Sequence, residues 1–327
     1  MSTSQHEVSR RFLIAAGIGL LAAPALGRGA APVSVIGGEA FGAGWQVTVG
    51  RGAELDRLTA RIASVLDEVD RQMSPWRPDS EVTRLNRAGA GAFRAGDELA
   101  ALAAQALQLA GASGGRFDPT VGPLVARFGF GPIKGDGAPH LAGLRVEQGA
   151  IIKDRAALTF DPCGIAKGHA LDRVAALLRA EGQGDFLIDL GGDLRAEGAR
   201  PDGASWRIGI EDPRPGADAL AAVIVPAGLA VATSGVRAQG YDLGGRRYSH
   251  IIDPALGAPV ESRLLSATVA HADGPLADGW ATALMAAGDG AEALARSAGL
   301  DALLLESDAE GGLARQATGR MAHLLDA

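Results

Sequence analysis

Cysteine is all but missing from this chain: Cys163 is the only one in 327 residues. That excludes an intrachain disulfide and any zinc site built on paired thiolates. Lysine is nearly as scarce, with Lys134, Lys153 and Lys167 the only three among 31 basic residues. A formal net charge of −7, with no basic stripe along the sequence, argues against a nucleic-acid surface. Aromatic residues are only 4% of the chain, so one placed in a loop is itself a signal. Long apolar runs are lacking too: the best, near the N-terminus, is short and broken by glycine, so no bilayer-spanning helix is expected.

What is present points to a compact enzyme-like fold, with 47% hydrophobic residues and 47 glycines for tight turns. The first thirty-one residues read as an address. Ser9-Arg10-Arg11-Phe12-Leu13-Ile14 leads into an apolar stretch to about Leu21 and then Ala22-Ala23-Pro24-Ala25. A charged start, a short apolar run and small residues describe an export signal, and the arginine pair suggests the twin-arginine route to the periplasm. Residues 1–31 are therefore expected to be a signal, and 32–327 the functional domain.

Strands and helices follow without a regular βαβ rhythm. Trp45–Val49 alternates like a strand, and Leu55–Met73 carries apolar residues at helical spacing. Ser80 caps a short helix toward Asn86, and Asp97–Ser113 is an alanine-rich helix stopped by Gly114-Gly115. Short strands are expected at Leu144–Val146, Ala150–Lys153, Leu158–Phe160, Phe186–Leu190, Trp206–Ile210, Ala221–Val225, Leu229–Ala232, Arg246–Ile251 and Leu264–Ala270. Helices are expected at Gly164–Ala180 and Pro275–Ala287, and a hairpin loop at Glu211–Asp218. The pattern favours α+β, with helices packed on mixed or antiparallel sheets.

Chemistry concentrates in a few segments. Asp161-Pro162-Cys163-Gly164-Ile165-Ala166-Lys167-Gly168 sets an acid, a glycine turn and a rare lysine at a helix start, the ingredients of a phosphate-binding arrangement. Locally, the same residues also read as a helix cap beside a surface lysine. Asp278 and Thr282 lie four apart on a predicted helix and so share a face. A carboxylate and a hydroxyl are hard oxygen donors suited to Mg²⁺, although standing alone they read first as an ordinary helix face with one acid and one capping threonine. His250, between Ser249 and Ile251 and three residues before Asp253, titrates near neutrality and is a candidate base; it reads equally well as hydrogen-bonded structure.

Taken together, Met73–Asn86, Phe117–Pro123, Asp161–Asp172, Gly191-Gly192-Asp193, Thr233-Ser234-Gly235, Tyr248–Pro254 and Ala277–Thr282 resemble the ApbE family in content, order and spacing. The resemblance runs from about Gly38 to the C-terminus. It implies a T-fold-like α+β fold, a single catalytic unit of two interlocked subdomains. It implies the activity of a FAD:protein FMN transferase: FAD, as substrate, is split at its pyrophosphate with Mg²⁺, and FMN passes to a Thr or Ser hydroxyl of an acceptor protein. By resemblance the metal ligands are Asp278, Thr282 and the main-chain carbonyl of Gly164. Asp161 and Lys167 match cofactor-contacting positions, with Lys167 countering phosphate charge. Arg116, Phe117 and Asp118 match a segment on the adenosine side, Trp76 an aromatic that touches the cofactor, and Ile252 a residue at the flavin end. Phe41 stands where the family usually has methionine, and Cys163 where it commonly has a smaller residue. Gly191-Gly192-Asp193 and Thr233-Ser234-Gly235 read as architectural.

The implied partner is an FMN-binding acceptor domain of a membrane-associated electron-transfer protein. Two other activities share these residues: a Mg²⁺-dependent FAD pyrophosphatase that releases FMN and AMP, and a FAD carrier without turnover. Asp278, Thr282 and His250 weigh against the carrier. Cys163 lacks a paired cysteine or a dedicated base, and is expected to pack rather than react.

Overall fold

The computed structural model describes residues 33–50, 54–135, 138–237, 240–244 and 246–326, so the export segment lies outside the described residues. Its spine is one eight-stranded sheet in which every neighbouring pair is antiparallel. The strands lie side by side in the order they occur in the chain: Val33–Ala40, Ala43–Gly50, Phe186–Leu190, Asp193–Glu197, Ala230–Gly235, Leu264–His271, Asp301–Ser307 and Leu313–Ala317. A meander of this kind leaves the long connections free to carry everything else. Among the described residues, the segment between residues 50 and 186 supplies five α-helices and a small three-stranded sheet, and the segment between residues 271 and 301 supplies helix Gly274–Ala287.

The sheet is covered on both faces, and period-two alternation sorts its side chains. Phe186, Ile188, Leu190, Ala302 and Leu304 enter the core beneath the helices, whereas Leu187, Leu303 and Leu305 enter a second core on the other face. That is why Phe186–Leu190 and Asp301–Ser307 read as nearly continuous apolar runs rather than as half-polar strands. The hairpin of Ile208–Glu211 and Leu220–Ile224 lies against the second core, and its loop falls where the Pro-Gly-rich stretch predicts it.

Helix Leu55–Met73 matches its predicted limits and buries Leu58, Ile62, Leu66, Val69 and Met73, one stripe at three- and four-residue spacing. Each such side chain contributes roughly 1.5–3 kcal/mol of burial. Helices Ala166–Ala180 and Gly274–Ala287 cross at two glycines: a Cβ on Gly168 would run into the Gly274 carbonyl, and one on Gly274 into the Gly168 carbonyl. Only the missing side chains let the two helix starts touch backbone to backbone.

One expected strand is absent. Leu158–Phe160 pairs with no strand; instead the Asn86 amide takes both backbone groups of Phe160, with Nδ2 donating to its carbonyl at 2.9 Å and Oδ1 accepting from its N–H at 2.7 Å. A single side chain does what a ladder would do, so the apolar run needs no partner strand. Strands Val33–Ala40, Asp193–Glu197, Asp301–Ser307 and Leu313–Ala317, which the sequence analysis does not announce, complete the sheet.

Candidate active site

The helix pair that meets at Gly168 and Gly274 also brings the candidate metal ligands together. Asp273 caps helix Gly274–Ala287 by accepting from the Leu276 N–H at 3.0 Å, and the Asp172 carboxylate accepts from the Gly274 N–H at 2.8 Å. The helix then delivers Asp278 and, one turn on, Thr282. Asp278 is 4% exposed, and its Oδ2 accepts the Gly168 N–H at 3.1 Å. A Cβ built on Gly164 would lie 3.1 Å from Thr282 Oγ1 and 3.1 Å from Phe117 Cε2, so this glycine sits against both. Ser234 Oγ approaches Thr282 Oγ1 to 3.4 Å from strand Ala230–Gly235.

These contacts alter the reading of the helix start. The amides of Ile165 and Ala166 both donate to the Pro162 carbonyl, at 3.0 and 2.9 Å, and that of Gly168 is taken by Asp278. The positive end of helix Ala166–Ala180 therefore faces an internal carboxylate rather than an open phosphate site. Even so, burial pushes the Asp278 carboxyl up to about 7, with the charge of Asp193 adding to the effect and Lys167 opposing it.

Asp193 is the residue whose role the sequence concealed. It is 1% exposed, its Oδ2 lies 2.9 Å from Lys167 Nζ, and that buried oxygen accepts no aligned hydrogen bond. Burial works against the Lys167 charge, but Asp193 and Asp278 outweigh it and hold the ammonium protonated beyond its ordinary range. The rare lysine thus stands in the middle of an acidic cluster. One ammonium opposite two buried carboxylates leaves excess negative charge, and the adjoining donors are a hydroxyl and a carbonyl. Among the described residues no cluster of three or more His, Cys, Asp or Glu could hold a metal ion. An all-oxygen set with one carboxylate is what a hard divalent cation accepts, with water and phosphate filling the other positions, so the residues fit Mg²⁺.

Several of the other predicted residues are tied by contacts within and between their loops. Asp161 accepts from the Cys163 N–H at 3.0 Å and donates its own N–H to the Pro119 carbonyl at 2.7 Å, tying the two loops together. Burial raises its carboxyl above the usual range. Burial and the charge of Asp161 also push the Cys163 thiol well up, which favours its protonated form. Asp118 closes a local turn by accepting from the Thr120 N–H and hydroxyl at 2.7 and 2.6 Å. Arg116 Nη1 meets Asp253 Oδ2 at 3.0 Å and so locks this segment to the stretch that carries His250 and the buried Ile252. Phe117 is buried against Gly164. His140 is partly exposed and its Nε2 lies 2.9 Å from Asp154 Oδ2.

Trp76 stands apart from these contacts, 61% exposed in the loop after helix Leu55–Met73. Phe41 takes a left-handed conformation, φ 54°, in the tight turn with Gly42 at φ 73°. A bulky side chain there costs about 1 kcal/mol or more, a strain that residues at functional turns often carry.

Fold and cluster together define an α+β enzyme centre: a buried carboxylate, hard oxygen donors and a lysine, gathered where two helix starts meet. The ApbE family profile matches residues 41–304. A FAD:protein FMN transferase of Vibrio cholerae is 36% identical over 251 residues, which cover 72% of this chain and 75% of that protein. The solved flavin transferase ApbE from Vibrio cholerae superposes with a TM-score of 0.82 at 32% identity, covering 90% of this chain and 100% of that one. The apo flavinyl transferase ApbE of Pseudomonas stutzeri gives 0.82 at 31%, covering 92% and 99%. The chain belongs to the ApbE family.

Proposed function

We propose that this protein transfers FMN from FAD to a Thr or Ser hydroxyl of an acceptor flavoprotein and releases AMP, using Mg²⁺. The observation that carries the reading is the convergence of Asp278, Thr282 and Gly164 at the start of helix Ala166–Ala180. The relatives named FAD:protein FMN transferase support the flavin donor and the protein acceptor.

Asp278, Thr282 and the Gly164 carbonyl would hold the metal ion, which when bound offsets the charge that builds on the pyrophosphate oxygens. Lys167 adds a fixed positive charge beside the phosphates. His250 accepts the proton of the acceptor hydroxyl, whose oxygen attacks the flavin-side phosphorus. The new bond joins that oxygen to phosphorus, the P–O bond to the adenosine half breaks, and AMP leaves with the bridging oxygen. The proton passes from His250 to solvent. The Arg116–Asp253 pair holds the two loops around the substrate in register. The exposed Trp76 and the strained Phe41 offer aromatic surface to the cofactor rings, with Asp161, Phe117 and Asp118 on the adenosine side and Ile252 at the flavin end.

The acceptor in this reading is an FMN-binding domain of a membrane-associated electron-transfer protein in the periplasm. The chain would reach it through the twin-arginine signal at residues 1–31, leaving 32–327 as the catalytic domain. Among the described residues no helix is long and apolar enough to cross a membrane. Arg10→Lys combined with Arg11→Lys is expected to retain the precursor inside the cell, as read by fractionation; normal export would remove the twin-arginine assignment.

The deciding assay mixes the protein with FAD, Mg²⁺ and a purified FMN-binding acceptor domain, and reads intact masses. An FMN-sized gain on the acceptor that EDTA abolishes establishes the transferase. FMN and AMP without a mass gain would mean a pyrophosphatase, and bound, uncleaved FAD would mean a carrier.

A further inference from the structure

Both tyrosines of this chain lie in one aromatic stack that ends at His250. Strands Gly240–Leu243 and Arg246–Ser249 pair as a hairpin in which Tyr241 is opposite Tyr248, and their rings stack with centroids 5.3 Å apart, 16° from parallel. Tyr241 stacks in turn on Phe130, again at 5.3 Å and 22° from parallel. The Phe130 ring meets the His250 imidazole edge-on, 6.3 Å between centroids and 63° between planes.

Phe130 is itself firmly placed. Helix Gly122–Arg127 ends in a Schellman closure: Gly129 has φ 87°, its N–H donates to the Ala126 carbonyl at 3.0 Å, and the Phe130 N–H donates to the Val125 carbonyl at 3.0 Å. The stack therefore joins a hydrogen-bonded helix end to the hairpin, and His250 is the residue directly after that hairpin. With aromatics so scarce, three rings in register beside one histidine are a costly arrangement for a surface loop. Aromatic pairs at these separations contribute about 0.5–1.5 kcal/mol each beyond their burial, enough to select one hairpin placement over others.

We propose that Phe130 and Tyr241 are positioning residues: the stack they form sets the placement of the His250 imidazole. The inference rests on the reading of His250 as the base. Proton transfer requires the imidazole within hydrogen-bond reach of the acceptor hydroxyl, and a misplacement of an ångström costs up to about a hundredfold in rate. FAD affinity depends on other residues and should not follow.

The test assays wild type, Phe130→Ala, Phe130→Tyr, Tyr241→Ala and His250→Gln with FAD, Mg²⁺ and a purified FMN-binding acceptor domain, after thermal melting has checked that each variant is folded. Phe130→Ala and Tyr241→Ala are expected to lower kcat between tenfold and about a hundredfold, with the FAD dissociation constant unchanged. Phe130→Tyr, which keeps the ring, should recover most of the rate. The His250 ring-proton NMR signals should move in Phe130→Ala, because the neighbouring ring current is gone. An inactive His250→Gln beside fully active Phe130→Ala and Tyr241→Ala would overturn the positioning role and leave the base standing. A raised acceptor KM at unchanged kcat would also overturn it, marking the stack as a docking surface. Wild-type transfer by His250→Gln would overturn both readings.

Discussion

The Asp278 carboxylate and the Gly168 amide are 110 residues apart in the chain and 3.1 Å apart in the fold. An acid from one helix caps the start of another, so the same contact that joins the two helices also buries the charge that would hold the metal. Its cost shows in the Asp278 carboxyl, raised to about 7 by burial and by Asp193. A divalent cation would relieve that cost.

Asp278→Asn keeps the size of the side chain but removes its charge. Transfer of FMN to the acceptor should fall at least about a hundredfold, since a bound metal ion supplies several kcal/mol at the charge-developing step. FAD binding, followed by flavin fluorescence, should persist in part. Wild-type turnover of this variant in EDTA would remove Asp278 from the metal site.

Lys167→Met leaves Asp193 buried without its cation. Because the lysine is 36% exposed, solvent softens the loss, and a destabilisation of about 1–3 kcal/mol is expected by chemical denaturation. Adding Asp193→Asn should recover that stability but not FAD affinity. If the double variant binds FAD as well as wild type, Lys167 serves only as an ion-pair partner.

Lys153 is a buried lysine with no carboxylate beside it among the described residues: 1% exposed, its ammonium donates to the carbonyls of Ala88 at 2.7 Å and of Asn86 and Ala156 at 3.3 Å. Burial lowers its pKa below the ordinary 10.5. Between that lowered value and 10.5 the unfolded chain holds the extra proton, so this group's contribution to stability rises with pH across that window and falls as pH drops through it. Lys153→Met should lose about 1–3 kcal/mol near neutrality by stranding the three carbonyls. The stability gap between wild type and variant should widen toward pH 10, measured by denaturant titration. A gap independent of pH would mean that the ammonium does not titrate there.

Cys163→Ser should keep full transfer activity, and wild-type Cys163 should resist iodoacetamide at pH 8, because burial and Asp161 hold its thiol protonated. Rapid alkylation accompanied by loss of turnover, with FAD still bound, would give the thiol a chemical part.

Much of the fold was legible in local pattern. The stripe Leu58, Ile62, Leu66, Val69 set helix Leu55–Met73, and Ser80 caps the helix after it, its Oγ accepting from the Thr83 N–H at 3.1 Å. Gly114-Gly115 ends helix Asp97–Ala112 as expected. Phe186–Leu190 and Leu264–His271 could be found because both sheet faces are buried, which makes apolar runs of them. Leu158–Phe160 also reads as a strand but has no strand partner among the described residues, since the Asn86 amide fills that place, and a contact across 74 residues leaves no local trace.

The spacing of Asp278 and Thr282, the glycines of the 164–168 turn and the ApbE-like motif order were properties of the sequence by itself. They determined the family, the α+β class and the candidate metal donors, because helical periodicity and the absence of a side chain act locally. Which charges face one another was decided only by the tertiary structure. Asp193, read as part of a turn, became the partner of Lys167; the helix start read as a phosphate cradle proved to be capped by Asp278; and Phe130, Tyr241 and Tyr248 came together beside His250. Electrostatic pairing and ring stacking depend on distance in space, and a meandering sheet with long insertions sets those distances independently of separation along the chain.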